Sequence, residues 1–442
     1  RTIDLSKLCN DLAEYKWCGD SNFLEIPGQY GAADTKPFIE EHVKIVRFER
    51  RLKVFSSKQQ PIEIKIQGSD GKTYSFIIKY GEDLRQDQRI QHVLRLMSRQ
   101  LAIDKSCKKN HLQIHTYEVT PIDSSCGLLS VVENATTMHE FLDRSSRQFS
   151  PVPFSHINAE IKEEFRDFLA TGVEYRNDWT KIYKNALLNR SRRELKESLT
   201  TMELRIPKEI IQRSLMNSAL SLETFYILRK NFVTSLAAMN IAHWLLGIGD
   251  RHLSNILINP KTGRLIGIDF GVAFGAAANL SIPELVPFRL SSQFVAVVAP
   301  MGIDGLIKKS MFYTLRCLRD FQRTILICLE MFVKEPTLDW LAKSKKLENS
   351  TVEWNPEARI ETVRRKLNGA NPLKIIIDEL SSSQVASNTE LLERYKKIAA
   401  GDQNSLRRRL NNEGLEVEDQ VGALIELATD KAVLASIYFG SV

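Results

Sequence analysis

Residues 61–67 (Pro-Ile-Glu-Ile-Lys-Ile-Gln) alternate apolar and polar side chains, the period of a half-buried strand. Gly68-Ser69-Asp70-Gly71 follows as a tight turn, and 74–79 repeats the strand pattern, so the segment predicts a β-hairpin. The period then changes. Ile90, Val93, Leu94, Met97 and Leu101 fall on one face at helical spacing, with Arg and Gln opposite. Residues 112–119 and 128–132 return to strand-like runs, which gives the chain up to 133 a small sheet with a helix packed against it.

From about 138 the pattern is helical. Residues 159–170 are amphipathic, Pro207 suits the first turn of another helix, and 221–246 reads as a long, largely apolar helix ending at Gly247 and Gly249. Residues 256–258 and 265–268 flank the turn cluster Asn259-Pro260-Lys261-Thr262-Gly263, which predicts a short hairpin. Further helices are expected over 300–380, with polar loops at 343–353 and 381–389. Arg407-Arg408-Arg409 begins a break before a final helix, where Val417, Val421, Leu424, Ile425 and Ala428 share a face.

Composition narrows the class. A chain of 442 residues exceeds one ordinary core, so two or more lobes are expected. Hydrophobic content of 43% and charged content of 26% describe a soluble globular protein. No apolar run approaches the roughly 18 residues that a membrane span requires. A net charge of +7 is mild for this size and makes no case for direct nucleic-acid binding. The six cysteines (Cys9, Cys18, Cys107, Cys126, Cys317, Cys328) show no Cys-x-x-Cys and no zinc spacing. They read as reduced thiols of a cytosolic or nuclear chain, mostly small buried apolar residues. The start, Arg1-Thr2-Ile3-Asp4, lacks Met and any signal pattern, which predicts a piece of something longer.

The candidate chemistry lies in Gly249-Asp250-Arg251-His252-Leu253-Ser254-Asn255, followed fourteen residues after its Asn by Asp269-Phe270-Gly271. A carboxylate, an amide five positions on and a second carboxylate opening a glycine turn make a phosphoryl-transfer set. Asp250 can orient or deprotonate an attacking hydroxyl, while Asn255 and Asp269 supply hard oxygen ligands for Mg²⁺ on ATP. His252 lies where a polar group meets developing charge. Lys79 ends a strand after the glycine turn, which places an ammonium beside nucleotide phosphates, and Ser69 with neighbouring amides can cap them. Each feature alone is weak. Asp-Phe-Gly occurs by chance, a strand-end Lys is usually a solvated charge, and Asp250 could simply pair with Arg251. Their joint order carries the reading, with both loops bracketing one hairpin so that the two carboxylates project from the same edge.

Two competing motifs fail. Gly71-Lys72-Thr73 is not a Walker A loop, because position 66 is Ile where a Gly is required and a strand follows where a helix must open. Arg190-Ser191-Arg192-Arg193 has no interleaved aromatics and reads as a solvated helix face.

With these motifs in place, the chain resembles the phosphatidylinositol-3-kinase-related protein kinases, most of all the branch that works at DNA breaks. The matching text is Glu25-Ile26-Pro27-Gly28-Gln29-Tyr30; Lys79 with Gly81-Glu82-Asp83-Leu84-Arg85-Gln86-Asp87; and His243-Trp244-Leu245-Leu246-Gly247-Ile248-Gly249-Asp250-Arg251-His252. It continues in Ile266-Gly267-Ile268-Asp269-Phe270-Gly271, Pro283-Glu284-Leu285-Val286-Pro287-Phe288-Arg289-Leu290, Arg365-Lys366-Leu367-Asn368-Gly369-Ala370-Asn371-Pro372 and Asp378-Glu379-Leu380. The His that follows the Asp, where commoner protein kinases place it before, marks this family.

The resemblance implies an α+β, bilobal atypical protein kinase fold. Residues 1–23 would end a preceding helical region, 24–133 would be a small antiparallel-sheet N-lobe with a helix, and 134–380 a larger, mostly helical C-lobe. Its catalytic loop would span 249–255 and its activation loop 269–289. A linker over 381–410 and a FATC-like segment over 411–442 would follow. By motif match, Lys79 contacts phosphate, Glu82 and Asp87 position it, and Tyr117 lines the inner nucleotide pocket. Val132 falls at the hinge, and Ile77, Leu257 and Ile268 sandwich adenine. The family places Trp at Val131, so a smaller stacking area is expected against adenine. It also ends in an aromatic-proline-aromatic run where this chain has Tyr438-Phe439-Gly440-Ser441-Val442, through truncation or weaker FATC docking.

The implied activity is a nuclear Ser/Thr kinase favouring hydroxyls followed by Gln. It uses ATP and Mg²⁺ and works in double-strand-break repair by non-homologous end joining, reaching DNA ends through the Ku heterodimer by regions outside this sequence. Two rivals stand beside it. A phosphoinositide kinase shares both motifs, but a multiply charged headgroup calls for Lys or Arg, and none occurs between Gly271 and Pro287. A pseudokinase scaffold would have lost a catalytic group, and every one is present.

Overall fold

Two sheets and a set of helices account for the periodic segments in a computed structural model, which describes residues 1–19, 22–30, 38–56, 59–150, 152–172, 178–335, 340 and 355–437. The chain divides into two units: Arg1–His92 with Thr116–Glu133, and Val93–His115 with Asn134–Val442. The polar stretch 343–353 and the tail 438–442 lie outside the described residues.

The first unit is built on one antiparallel sheet. Its strands are β1 (Thr2–Asp4), β2 (Ile45–Phe48), β3 (Arg51–Val54), β4 (Ile62–Gly68), β5 (Thr73–Tyr80), β6 (Val119–Pro121) and β7 (Cys126–Ser130), in the order β1-β3-β4-β5-β7-β6 with β2 also paired to β4. β4 and β5 are the expected hairpin, with Ile64 opposite Phe76. Ile64, Ile66 and Phe76 bury one face against Leu5, Ile45 and Leu52, and each such side chain contributes roughly 1.5–3 kcal/mol. Residues 1–23 contribute an edge strand here, since Thr2–Asp4 pairs with Arg51–Val54. The helix seen in the pattern runs Arg85–Ile103, and Asp83 caps its start by accepting the Arg85 N–H at 3.0 Å.

The strand expected over 112–119 is confined to its last residue, because side chains intercept the amides a ladder would use. Gln91 accepts the Tyr117 N–H at 3.4 Å, Ser98 accepts the Ile114 N–H at 3.1 Å, and Ser130 Oγ accepts the Glu118 N–H at 2.9 Å. The alternation is still real. Leu112 and Ile114 are buried, but 112–118 form no strand.

In the second unit the hairpin of β9 (Ile256–Ile258) and β10 (Leu265–Gly267) gains an unforeseen partner, β8 (Thr136–Thr137), too short to show a period. The helix Leu222–Leu245 starts at the N-cap Ser221, whose hydroxyl accepts the Thr224 N–H at 3.1 Å. From Phe232 to Leu245 it is buried on every face, which explains its lack of amphipathicity. Pro207 does not open a helix. It turns the chain ahead of Ile210–Ser218, with its carbonyl accepting the Ile210 N–H at 3.1 Å.

In a separate cluster, Phe165, Leu195, Tyr395, Leu427 and Val433 share a core with Ile282 and Leu285. Val421, Leu424, Ile425 and Ala428 are buried along Val417–Thr429, as their spacing requires. The Arg407 region is a short helix, Leu406–Arg409, rather than a break. Arg407 is fully buried, donates to the Ala399 carbonyl at 2.7 Å and pairs with Asp430. Asp430 also holds Arg192, so the basic cluster is only partly a solvated face, with Arg193 exposed against Glu197. Of the cysteines only Cys107 and Cys317 are buried, fewer than expected, and Cys18 is exposed. Among the described residues no helix is long and apolar enough to cross a membrane.

Candidate active site

The catalytic-type loop is held against the segment after Asp269 by backbone hydrogen bonds. Phe274 N–H donates to Leu246 O at 2.8 Å, Gly275 N–H to Gly247 O at 3.1 Å, and Gly249 N–H to Val272 O at 3.0 Å. This close approach requires glycine at 247, where a Cβ would lie 2.5 Å from the Gly275 nitrogen and φ is +58°.

Asp250 and Asp269 both adopt φ +59°, a left-handed conformation that a side chain normally avoids. Neighbours hold them there. The Asp250 N–H donates to Glu284 Oε2 at 2.9 Å, and its carbonyl accepts Asn255 Nδ2 at 2.8 Å. Arg251 turns its guanidinium inward and donates to Gly249 O at 2.8 Å, Ile268 O at 2.8 Å and Asp269 O. It ties one loop to the other, over the face of Phe270 at 5.5 Å. Arg289, itself buried, donates to the Arg251 carbonyl at 3.3 Å. Behind Phe270 the ring of His243 packs edge-on at 5.8 Å, and a Cβ at Gly267 would meet that ring at 2.5 Å.

Burial sets the charge states nearby. Glu284 is pushed up to about 7 by desolvation, reinforced by Asp250 and opposed by its hydrogen bond and both arginines. Desolvation lowers Arg289 to about 9. His252 is held below its ordinary value, mainly by burial, although Asp250 lies 3.9 Å from its Nε2. It is therefore a neutral imidazole at pH 7, able to donate a hydrogen bond but not a full charge.

Asn255 and Asp269 are brought together. Ile268 N–H donates to Asn255 O at 3.0 Å, which fastens the residue before Asp269 to the amide-bearing loop. Because Asn255 Nδ2 is engaged by Asp250 O, the remaining end of the amide is an oxygen. One amide oxygen and one carboxylate form a hard donor set that suits Mg²⁺ and not a soft metal. Leu257 on β9, opposite Ile266 and Thr137, is half-buried, and so is Ile268.

The other expected residues belong to the first unit. Ile77 and Lys79 project from the same face of β5, two residues apart, opposite Leu129 and Gly127 of β7. Lys79 Nζ stands 3.5 Å from Glu82 Oε2, and Asp87 is buried in the first turn of Arg85–Ile103. Tyr117 is buried. Val131 N–H donates to Ser75 O at 2.9 Å, extending the β5–β7 ladder to the half-buried Val132. Ser69 is exposed, and both its amide and its hydroxyl serve Lys44: the amide donates to Lys44 O at 2.8 Å, and Oγ accepts Lys44 N–H at 3.0 Å. The amides of Gly71 and Lys72 close the turn itself.

Sequence reasoning passed over Arg251, Glu284 and Arg289. A signal existed for Glu284, the one charge between Val272 and Phe288, since a lone charge in an apolar run is buried only with partners.

Comparison with known proteins agrees with this geometry. Residues 73–342 match the family model described as Phosphatidylinositol 3- and 4-kinase. The chain is 37% identical over 438 residues to the DNA-dependent protein kinase catalytic subunit of Gallus gallus, which covers 95% of this chain and 10% of that protein. It is 30% identical over 425 residues to the serine/threonine-protein kinase TOR2 of Saccharomyces cerevisiae, covering 94% of this chain and 16% of that one. The chain thus spans a small part of the curated relatives it matches. A solved structure titled the FAT and kinase domain of CtTel1 superposes with a TM-score of 0.70 at 23% identity, over 95% of this chain and 25% of that one, and shares its fold. With a family model matched over more than half its length and an α+β kinase fold beneath the paired loops, the chain belongs to the phosphatidylinositol 3- and 4-kinase family.

Proposed function

We propose that this chain is the catalytic region of a Ser/Thr protein kinase that transfers the γ-phosphoryl group of ATP to protein hydroxyls. The observation that carries the reading is the loop pair in which Asp250 and Asp269 share a left-handed backbone and Asn255 is fastened between them. Asp250 orients the hydroxyl and takes its proton as the new O–P bond forms in line with the bond that breaks to ADP. His252, held neutral, donates a hydrogen bond toward the charge on the transferred group. Asn255 and Asp269 would hold Mg²⁺, which offsets phosphate charge when bound. Lys79 is assigned to phosphate, with Glu82 and Asp87 as its acidic partners, and Ile77, Tyr117, Val131, Val132, Leu257 and Ile268 to the nucleotide. Ser69 Oγ accepts the Lys44 N–H and keeps its own O–H to donate to phosphate in this assignment.

A protein substrate is favoured over a lipid because Val272–Asn279 is buried and uncharged, and no Lys or Arg stands between Gly271 and Pro287 to meet a phosphoinositide headgroup. Likeness to the DNA-dependent protein kinase catalytic subunit supports a nuclear role in DNA damage signalling. The finer assignments follow from the same likeness: hydroxyls followed by Gln, end joining, access to DNA ends through Ku, and a FATC-like segment over 411–442.

The test is phosphate incorporation from ATP into a Ser-Gln peptide, measured against Asp269→Asn and against phosphoinositide vesicles. Transfer to peptide that vanishes in the variant supports the reading. Equal signal from both proteins, or transfer to lipid alone, overturns it.

A further inference from the structure

Glu284 and Arg289 take no part in the chemistry proposed above, yet both reach the Asp250 loop from one short segment. Glu284 Oε2 accepts the N–H of Asp250 at 2.9 Å, and Arg289 Nη1 donates to the carbonyl of Arg251 at 3.3 Å. An anion thus meets the N–H of one residue while a cation meets the C=O of the next. Arg289 is buried and Glu284 half-buried, and between them Val286-Pro287-Phe288 offers no other charge.

The fit around Glu284 is close. A Cβ at Gly249 would lie 2.8 Å from Glu284 Oε2 and 2.5 Å from the Ala277 Cβ, so the carboxylate sits directly against the loop backbone. The residue it holds has φ +59°, a conformation that relaxes unless its surroundings impose it. The charged groups around Glu284 are Asp250 and Arg251 from the loop, Arg289 from its own segment, and Lys366 and Glu379, which line the same small cavity. Lys366 donates to Trp244 O at 2.9 Å and stands 3.6 Å from Glu379, so that pair has its own task. Arg251 donates to the carbonyls of Gly249, Asn255, Ile268 and Asp269, and Glu284 accepts the Asp250 amide.

We propose that Glu284 is a positioning residue, assisted by Arg289, through which the segment 283–290 imposes the working conformation of the Asp250 loop. The segment then governs the site: when it is seated the loop is set, and when it withdraws the Asp250 amide loses its acceptor and the strained backbone relaxes. This rests on the assignment of Asp250 given under the proposed function. Glu284 touches no reacting atom and acts only through Asp250. Its anionic form is the stronger acceptor for an N–H, and burial pushes its carboxyl up to about 7, which keeps the hold adjustable near neutrality.

The test compares Glu284→Ala and Glu284→Gln in the full chain by two readouts. One is deuterium uptake at the amides of 246–256, which needs no activity; the other is steady-state phosphate transfer. Glu284→Ala is expected to raise uptake in that segment and to lower kcat by about 10- to 100-fold, leaving the KM for ATP within about twofold. Glu284→Gln, which keeps a carbonyl acceptor, is expected to restore protection and to stay within about threefold of the parent kcat. Unchanged uptake and kcat in folded Glu284→Ala overturns the proposal, as does Glu284→Gln behaving like Ala. If the Ala variant does not fold, Glu284→Leu, which fills the volume without an acceptor, takes its place with the same expectations. A parent protein that transfers no phosphate would refute the proposed function, and the uptake comparison would still decide whether Glu284 holds the loop.

Discussion

The two units present their candidate residues in opposite ways. In the first unit Ile77, Lys79 and Val131 come from or adjoin regular strands, and ladder register alone sets their direction. In the second, Asp250, His252 and Asp269 stand on irregular loops, two of them with a left-handed backbone, and buried charges impose their geometry. A strand tolerates the loss of a side chain because its hydrogen bonds are between backbones. A loop held by Arg251, Glu284 and Arg289 does not. The second unit should therefore be much more sensitive to substitution, both in activity and in stability.

The largest effect tests the second unit directly. Asp269→Ala and Asp250→Ala are each expected to lower phosphate transfer by on the order of a thousandfold or more, with only Asp269→Ala also weakening Mg-ATP binding in a titration. Retained turnover in Asp250→Ala contradicts its role. Next comes Lys79→Ala, expected to reduce kcat/KM by about 10- to 100-fold while leaving the urea midpoint unchanged. Its pair with Glu82 is partly exposed and contributes well under about 1 kcal/mol to folding. A large loss of stability in that variant would break the contrast between the units.

Arg251→Ala sharpens the same contrast from the other side. It strips the carbonyls of Gly249, Ile268 and Asp269, the first buried and the others partly so, of the Arg251 donor, with an expected loss of about 2–4 kcal/mol by urea denaturation. Glu284 gives a pH signature. Its folded pKa of about 7 lies above the unfolded value of 4.5, so its protonated form stabilises the fold. That contribution is complete below pH 4.5 and is lost as pH rises through 7, at a cost of roughly 3 kcal/mol. Glu284→Gln is then expected to melt higher than the parent at pH 8 and alike near pH 4.5. Equal melting at both pH values would show that the carboxyl titrates normally. The smallest effect belongs to the first unit: Val131→Trp is expected to lower the KM for ATP by a few-fold, from about 0.5–1.5 kcal/mol of added stacking. An unchanged KM and inhibitor profile would remove Val131 from the nucleotide assignment.

Legibility followed periodicity and not the division into units. The β4–β5 hairpin, the helix Arg85–Ile103 and the helix Val417–Thr429 were readable because burial of one face leaves a period of two or of 3.6 in the sequence. Residues 112–118 misled because alternation reports burial and not pairing, and the hydroxyls and amides that intercepted their N–H groups lie far away in the chain. Arg407 misled for a related reason. Three consecutive arginines read as a break until Asp430, 23 residues on, is seen to pair with one of them in the interior.

By itself the sequence determined the chemical groups of the candidate site and their order, because motif spacing is a local property of a chain, and the fold that carries them was implied by the resemblance of those motifs to a known family. It could not show that Arg251 donates to the carbonyls of Gly249, Ile268 and Asp269, or that Glu284 takes the Asp250 amide from 34 residues away. Those contacts depend on which buried donors and acceptors meet once water is excluded, and only the folded chain brings them within hydrogen-bonding distance.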